Sequence, residues 1–200
     1  MKKMMLDLCS GLGGQSEAFL ETYDVLRIDN NILMKEVPRT VIMDVYDLQV
    51  FNLSSSRINY IHAGPTCTQF SLAYAAPRSQ AIHAVGYDDG TYQPTEGIDL
   101  VKKCKEIIDE LDPQYWSIEN VRGSIKYLTP ILGEPRLIVG AYVYWGNFPL
   151  FDFDVSSIPT KAQKDKRWSP IRANIRAQVP FKLSKAFFDA MDSQKTMFDY

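Results

Sequence analysis

The chain has 200 residues, 46% hydrophobic and 23% charged, which is ordinary for one soluble globular domain with a substantial core. Its three cysteines, Cys9, Cys67 and Cys104, are too few and too scattered for a disulfide framework and lack the close pairing of a structural zinc site, so no metal is expected and reduced, cytoplasmic surroundings are. The N-terminus turns acidic at Asp7 before a signal-peptide core can form, and no apolar run approaches a membrane span. The net charge of −2 conceals an asymmetry, because residues 161–185 hold eight basic side chains against Asp165 alone, +7, leaving −9 elsewhere. One basic face on an acidic body suits contact with phosphates.

Residues 4–8 form a short apolar run that ends in the glycine-rich turn Ser10-Gly11-Leu12-Gly13-Gly14, and residues 15–22 carry Ala18 and Phe19 at helical spacing. A second apolar run, residues 25–28, ends at Asp29, and this is a βαβ opening. Residues 41–43 leading to Asp44 and residues 60–62 leading to Gly64 read as two further strands. Residues 64–96 have no convincing period and contain Pro65, Pro77, Gly86, Gly90 and Pro94, which predicts a long active-site loop. Residues 97–111 read as an amphipathic helix with Ile98, Val101, Ile107, Ile108 and Leu111 on one face, and residues 115–118 return as a strand. A helix near 124–132, a strand through 141–145 and a final helix over 183–191, placed to pack beside the first strand, complete the pattern. Alternation of this kind predicts a doubly wound, mainly parallel α/β sheet, with ligands beyond the carboxyl ends of the strands. Gly14, Asp29, Asp44, Cys67 and Glu119 all follow strands in this reading and gather there.

Three motifs stand in order: Asp7-Leu8-Cys9-Ser10-Gly11-Leu12-Gly13-Gly14, then Gly64-Pro65-Thr66-Cys67-Thr68-Gln69-Phe70-Ser71, then Ile118-Glu119-Asn120-Val121. Together they resemble the cytosine-C5 methyltransferases, whose aspartate and glycine turn, Pro-Cys loop and Glu-Asn-Val strand end each have a counterpart here. The resemblance implies the S-adenosylmethionine-dependent methyltransferase fold, S-adenosylmethionine as cofactor, and DNA with a flipped cytosine as partner. It covers roughly residues 4–125. Ser16 stands where a dinucleotide fingerprint has its third glycine, which disfavours a nicotinamide enzyme.

Cytosine C5 is a weak nucleophile, so an enzyme of this kind first adds a thiolate at C6, and Cys67 is the candidate. A carboxyl at the N3 edge completes the electron flow, and a carboxylic acid near an apolar strand end can have the raised pKa that Glu119 needs for this. Asn120 is expected to orient the cysteine loop through backbone hydrogen bonds. For the cofactor, Asp7 orders the turn, while Gly11, Gly13 and Gly14 let the backbone approach the methionine part without a Cβ clash. Asp29, ending the second strand, is placed to accept hydrogen bonds from a ribose diol. Asp44 resembles the family's adenine-contacting aspartate, Phe19 and Leu100 are candidates for the pocket wall, and Ser10 and Pro65 join the cofactor set. Ser71, Arg122, Lys164, Lys166, Arg167 and Arg176 are the candidate nucleic-acid contacts.

The chain departs from the family pattern in three places. Thr66 replaces the proline before the nucleophile, no Gln-x-Arg-x-Arg follows Glu119, and only about thirty residues separate Pro149 from Gln178-Val179-Pro180, too few for a target-recognition domain. A compact, phage- or virus-like DNA cytosine-C5 methyltransferase is the leading reading. Methylation of RNA or of a free nucleotide, and an inactive cofactor- or DNA-binding subunit, are the alternatives.

Overall fold

The computed structural model describes residues 2–53, 58–73, 76–86, 89–158 and 169–194. The apolar run Met4–Leu8 is β1, and its alternation sets what packs on it, with Met5 buried on one face and Leu6 and Leu8 on the other. Around it lie β2 (Asp24–Asp29), β3 (Thr40–Ile42), β4 (Ile58–Ala63), β5 (Tyr115–Val121), β6 (Leu137–Val139) and β7 (Tyr142–Asn147), in the order β3-β2-β1-β4-β5-β7-β6. The first five are parallel, whereas β7 runs antiparallel to both β5 and β6. The fold is a doubly wound, mainly parallel α/β sheet in which β7 alone is reversed.

The helices are α1 (Pro77–Val85), α2 (Thr95–Leu111), α3 (Ile125–Leu132), α4 (Arg172–Ala177) and α5 (Phe181–Asp192). The stripe Cys104, Ile107 and Ile108 of α2 packs on Leu6, Leu8, Ile61 and Ile118, while Leu183, Phe187 and Met191 of α5 pack on the opposite face against Met5, Tyr60 and Tyr144. Phe187 packs at a tilt 4.8 Å from Tyr144 and 5.0 Å from Phe148, measured between ring centroids. The last helix therefore returns to the start of the chain, where Ser184 Oγ donates to Gln15 O at 2.6 Å and accepts from Ala18 N at 3.1 Å.

Three expectations are corrected and one unexpected strand, β6, is added. The segment after the glycine turn contains only the 3-10 turn Glu17–Phe19, because it is held from outside by Ser184 and Arg27. The expected loop 64–96 contains α1, started by Pro77 at a first-turn position and stopped by Gly86 at φ 81°. β6 was too short a run to read from sequence and is held by its register with β7. The strand expected at 115–118 extends to Val121, so Glu119 and Asn120 lie within β5.

Candidate active site

A cavity of about 390 Å³ opens beyond the carboxyl ends of β1, β2, β4 and β5. Asp7, Ser10, Gly11, Gly14, Asp29, Asp44, Pro65 and Leu100 line it together with Cys67 and Glu119. The strand-end positions read from sequence are thus one site.

The floor of the glycine turn is a buried polar knot. Asp7 is fully buried; its Oδ2 accepts from Ser16 Oγ at 2.5 Å, and its Oδ1 has no hydrogen-bond partner among the described residues. Burial raises the Asp7 carboxyl to about 6, against the lowering effect of Ser16 and Arg27. Arg27 reaches the knot from β2 with no exposed side-chain surface, donating to Ser16 Oγ at 2.8 Å, Gly13 O at 3.0 Å and Pro38 O at 3.0 Å, and pairing with Glu17 at 3.1 Å. A Cβ on Gly13 would lie 2.3 Å from the Arg27 Cζ, and Gly13 has φ +69°. This corrects the expectation for Gly13: its missing side chain makes room for Arg27, and Gly13 does not line the cavity. Gly14 does line it, but a Cβ there would meet Val179 O at 2.5 Å, so the turn also seats the C-terminal segment. Asp29 holds the turn from β2, its Oδ2 accepting from Gly11 N at 2.7 Å and its Oδ1 from Asn31 N at 2.9 Å. Asp44 Oδ1 caps the next turn by accepting from Tyr46 N, and its Oδ2 accepts from Asn30 Nδ2.

Cys67 sits half-buried in a loop held from several sides. Its carbonyl accepts from Phe70 N and Ser71 N at 3.1 and 3.0 Å. Asn120, buried on β5, donates from Nδ2 to Pro65 O at 3.1 Å and accepts from Val121 N, the kind of contact expected of it. Gln69 Oε1 accepts from Gly97 N at 2.8 Å at the start of α2, and Phe70 is fully buried against Gly97, where a Cβ would come within 2.9 Å of its ring. Arg78 of α1 closes the far side by donating to Phe70 O at 3.2 Å and Gly123 O at 2.8 Å. Cys9, also at the cavity, is a different kind of thiol: a hydrogen bond with Cys104, followed by burial, pushes its pKa well up and keeps it protonated.

Several expected residues lie elsewhere. Phe19 is a core side chain, fully buried 5.1 Å from Tyr23 and 5.4 Å from Tyr60 and Phe188, on the face that meets α5. Ser71 accepts from Ala73 N and does not line the cavity. Exposed Arg122 donates to Gly140 O at 2.7 Å, and Arg176 lies exposed on α4, neighbouring the cavity-lining Ala173, Asn174 and Ala177. Lys164, Lys166 and Arg167 lie outside the described residues. His62, Gln15, Asn174 and Val179 line the cavity without having been singled out as site residues. For His62, a polar residue two before Gly64 at the end of an apolar strand was the available signal, and for Val179 its place in Gln178-Val179-Pro180; Gln15 and Asn174 carried none. Among the described residues no helix is long and apolar enough to cross a membrane, and no group of three or more metal-ligating side chains is found.

No protein-family model and no curated protein sequence matches this chain. Similar folds occur among solved structures. A candidate DNA modification methyltransferase encoded within an E. coli prophage is 19% identical with a TM-score of 0.48, the alignment covering 72% of this chain and 46% of the other. The Entamoeba histolytica methyltransferase EhMeth is 15% identical with a TM-score of 0.46 over 77% of this chain and 55% of the other. Spodoptera frugiperda DNMT2 is 19% identical with a TM-score of 0.43 over 76% and 53%. The chain thus spans about half the length of the proteins it matches, and alignments at this level assign no activity to it.

Proposed function

We propose that this protein transfers a methyl group from S-adenosylmethionine to C5 of cytosine in DNA. The observation that carries the reading is that Cys67 and Glu119, from two separate segments, line one cavity whose other wall is the glycine turn and Asp29. The cavity suits the cofactor on its own terms. Asp7 Oδ1 is a buried acceptor without a partner among the described residues, which an ammonium group would satisfy, and Asp29 is a carboxylate at the strand end suited to a diol. Ser10, Gly11, Gly14, Asp44, Pro65 and Leu100 would complete the contacts. The bound cofactor supplies an electrophilic methyl group. In this mechanism Cys67 Sγ adds to C6 of the base, its electron pair forming the S–C6 bond, while Glu119 donates a proton to N3, so the displaced C5=C6 electron pair makes C5 nucleophilic. After transfer the C5 proton passes to a water molecule, its bonding pair re-forms C5=C6 as the Cys67–C6 bond breaks and returns the thiolate, and N3 gives its proton back to Glu119. Asn120, Gln69 and Arg78 hold the loop so that Sγ meets the ring, a matter of ångströms for a bond-forming step.

The test is transfer of labelled methyl to duplex DNA, single-stranded DNA, RNA and dCMP. Duplex DNA is the expected best acceptor; exclusive use of RNA or dCMP would move the substrate, and no transfer to any would overturn the reading. Arg172 and Arg176 on α4, beside the cavity, together with Lys164, Lys166 and Arg167, are the proposed phosphate contacts. Replacing Arg172 and Arg176 with alanine should weaken binding to unrelated duplexes alike and flatten the log–log salt dependence by up to about two units. An unchanged slope would place the phosphate face elsewhere.

Asp7 gives a prediction independent of turnover. Folded Asp7 keeps its proton up to about pH 6, whereas the unfolded chain releases it near 3.8, so folding takes up a proton between these values. Stability linked to this group is complete below the lower value and is lost as pH rises through about 6. Asp7→Asn stays neutral, so its stability relative to wild type should grow over that window and reach on the order of 2–3 kcal/mol by pH 8. Its affinity for S-adenosylmethionine should fall. Denaturant titrations at pH 5 and pH 8 check the first effect and calorimetry the second; a variant less stable than wild type at pH 8 contradicts the assignment.

A further inference from the structure

His62 is fully inside the protein, lines the cavity, and takes no part in the chemistry described above. It stands on β4 directly opposite Ser117 of β5, and Glu119 lies two residues further along the same face of β5. Behind it runs a chain of buried polar groups contributed by the glycine turn, β4, β5 and β7. Tyr144 Oη donates to Gln15 Oε1 at 3.2 Å, and Gln15 Nε2 donates to Tyr60 Oη at 3.3 Å. Tyr60 Oη lies 2.7 Å from Ser117 Oγ, which lies 2.8 Å from His62 Nδ1.

Counting protons gives this chain a direction. Tyr144 has one hydroxyl proton and must donate it, because a carbonyl oxygen only accepts. Tyr60 already accepts from the Gln15 amide, so its single proton goes to Ser117. Ser117 accepts there, and its own proton goes to Nδ1 of His62. Nδ1 is then an acceptor, and the ring proton resides on Nε2. Burial lowers the His62 pKa to about 3, so the ring is neutral. The other titratable side chains lining the cavity are Asp7 on β1, Cys9, Asp29 and Asp44 at the strand ends, Cys67 in the loop and Glu119 on β5, with Tyr60 and Tyr144 flanking the ring.

We infer that His62 is a neutral, fixed-tautomer hydrogen-bond donor whose Nε2–H serves the carbonyl oxygen of the target pyrimidine. The recipient rests on the proposed cytosine chemistry: with Glu119 at N3, the neighbouring acceptor on the ring is O2, and the arginine motif expected to steady the base is absent after Glu119. A neutral donor suits this task, since it polarises the carbonyl as electrons enter the ring and leaves the thiolate of Cys67 without a proton-donating imidazolium nearby. Tyr144, Gln15, Tyr60 and Ser117 are positioning residues that act through His62.

The chain has two histidines, so nitrogen-15 NMR of the histidine-labelled full-length protein, with resonances assigned by His83→Gln, reads the tautomer directly. At pH 7 the His62 ring should be neutral, with Nδ1 unprotonated and Nε2 protonated. Tyr60→Phe, which removes the proton feeding Ser117, should mix the tautomers without unfolding the protein. A proton on Nδ1, an imidazolium, or indifference to Tyr60→Phe overturns the donor. For the recipient, kcat/KM is compared on duplexes carrying cytosine or 2-thiocytosine at the target. His62→Phe should lower kcat/KM on cytosine roughly tenfold, the worth of about one hydrogen bond, and should lose most of the wild-type penalty for sulfur. Equal sulfur penalties in the two proteins overturn O2 as the recipient. If wild type methylates no cytosine substrate, the recipient falls with the proposed function, while NMR still decides the donor.

Discussion

Cys67→Ala should abolish methyl transfer, by roughly 10⁴-fold or more, while S-adenosylmethionine binding changes little. Cys67 and Cys9 are both half-buried at the cavity, but the Cys9 thiol is kept protonated by its contact with Cys104 and by burial. Alanine removes only Sγ, and the loop remains held by Asn120 at Pro65 and by Gln69 at Gly97, so lost activity would report lost chemistry. A duplex with 5-fluorocytosine at the target should trap wild type as a covalent complex stable to denaturing electrophoresis, because the fluorine cannot leave as a proton does. Cys104→Ala should still form the complex, since that thiol is buried in the core under α2. Substantial methylation by Cys67→Ala, or no trapped complex with wild type, would remove covalent catalysis from the account.

Gly13→Ala should be among the most destabilising single-methyl changes in the chain. The residue has φ +69°, a conformation that costs an alanine roughly 1–2 kcal/mol. The new methyl would also stand 2.3 Å from the Arg27 guanidinium carbon, which has no free space into which to withdraw. Displacing Arg27 breaks its bonds to Ser16 and Gly13 and leaves buried acceptors unpaired beside Asp7, a loss on the order of 3–5 kcal/mol. Against the stability of an ordinary domain this is a large fraction, and at about 2–4 °C per kcal/mol for a chain of this size the midpoint should fall by roughly 10 °C or more. Arg27→Met, itself destabilising, should make the additional cost of Gly13→Ala smaller, because a flexible uncharged tip can move aside. Thermal denaturation of the four proteins of this cycle checks the coupling; strictly additive losses would mean that Gly13 and Arg27 do not share the space described.

Much of the frame was legible because it is written in neighbouring residues. The short apolar run at residues 4–8, the turn glycines after it and the amphipathic stripe of residues 97–111 each specify local structure from neighbouring residues alone. The 3-10 turn at Glu17–Phe19 shows the limit of this: Ala18 and Phe19 have helical spacing, but their partners are on α5, more than 160 residues away in sequence. Phe19 was misplaced for the same reason, since an aromatic beside a glycine turn suits a ligand pocket or a core equally well until the packing helix is known.

At the level of the site, sequence alone supplied a thiol in a proline-marked loop and carboxyls at or just after strand ends, because these groups are bound to elements whose apolar runs reveal roughly where each element stops. Tertiary structure alone decided that Gly13 accommodates Arg27, that Gly14 seats Val179, and that Tyr144, Gln15, Tyr60, Ser117 and His62 meet in one buried chain. Those pairings depend on the register of strands as much as 55 residues apart and on the return of the last helix to the first turn. A buried polar group must find a partner wherever the fold delivers one, and spacing along the chain carries no record of which partner that is.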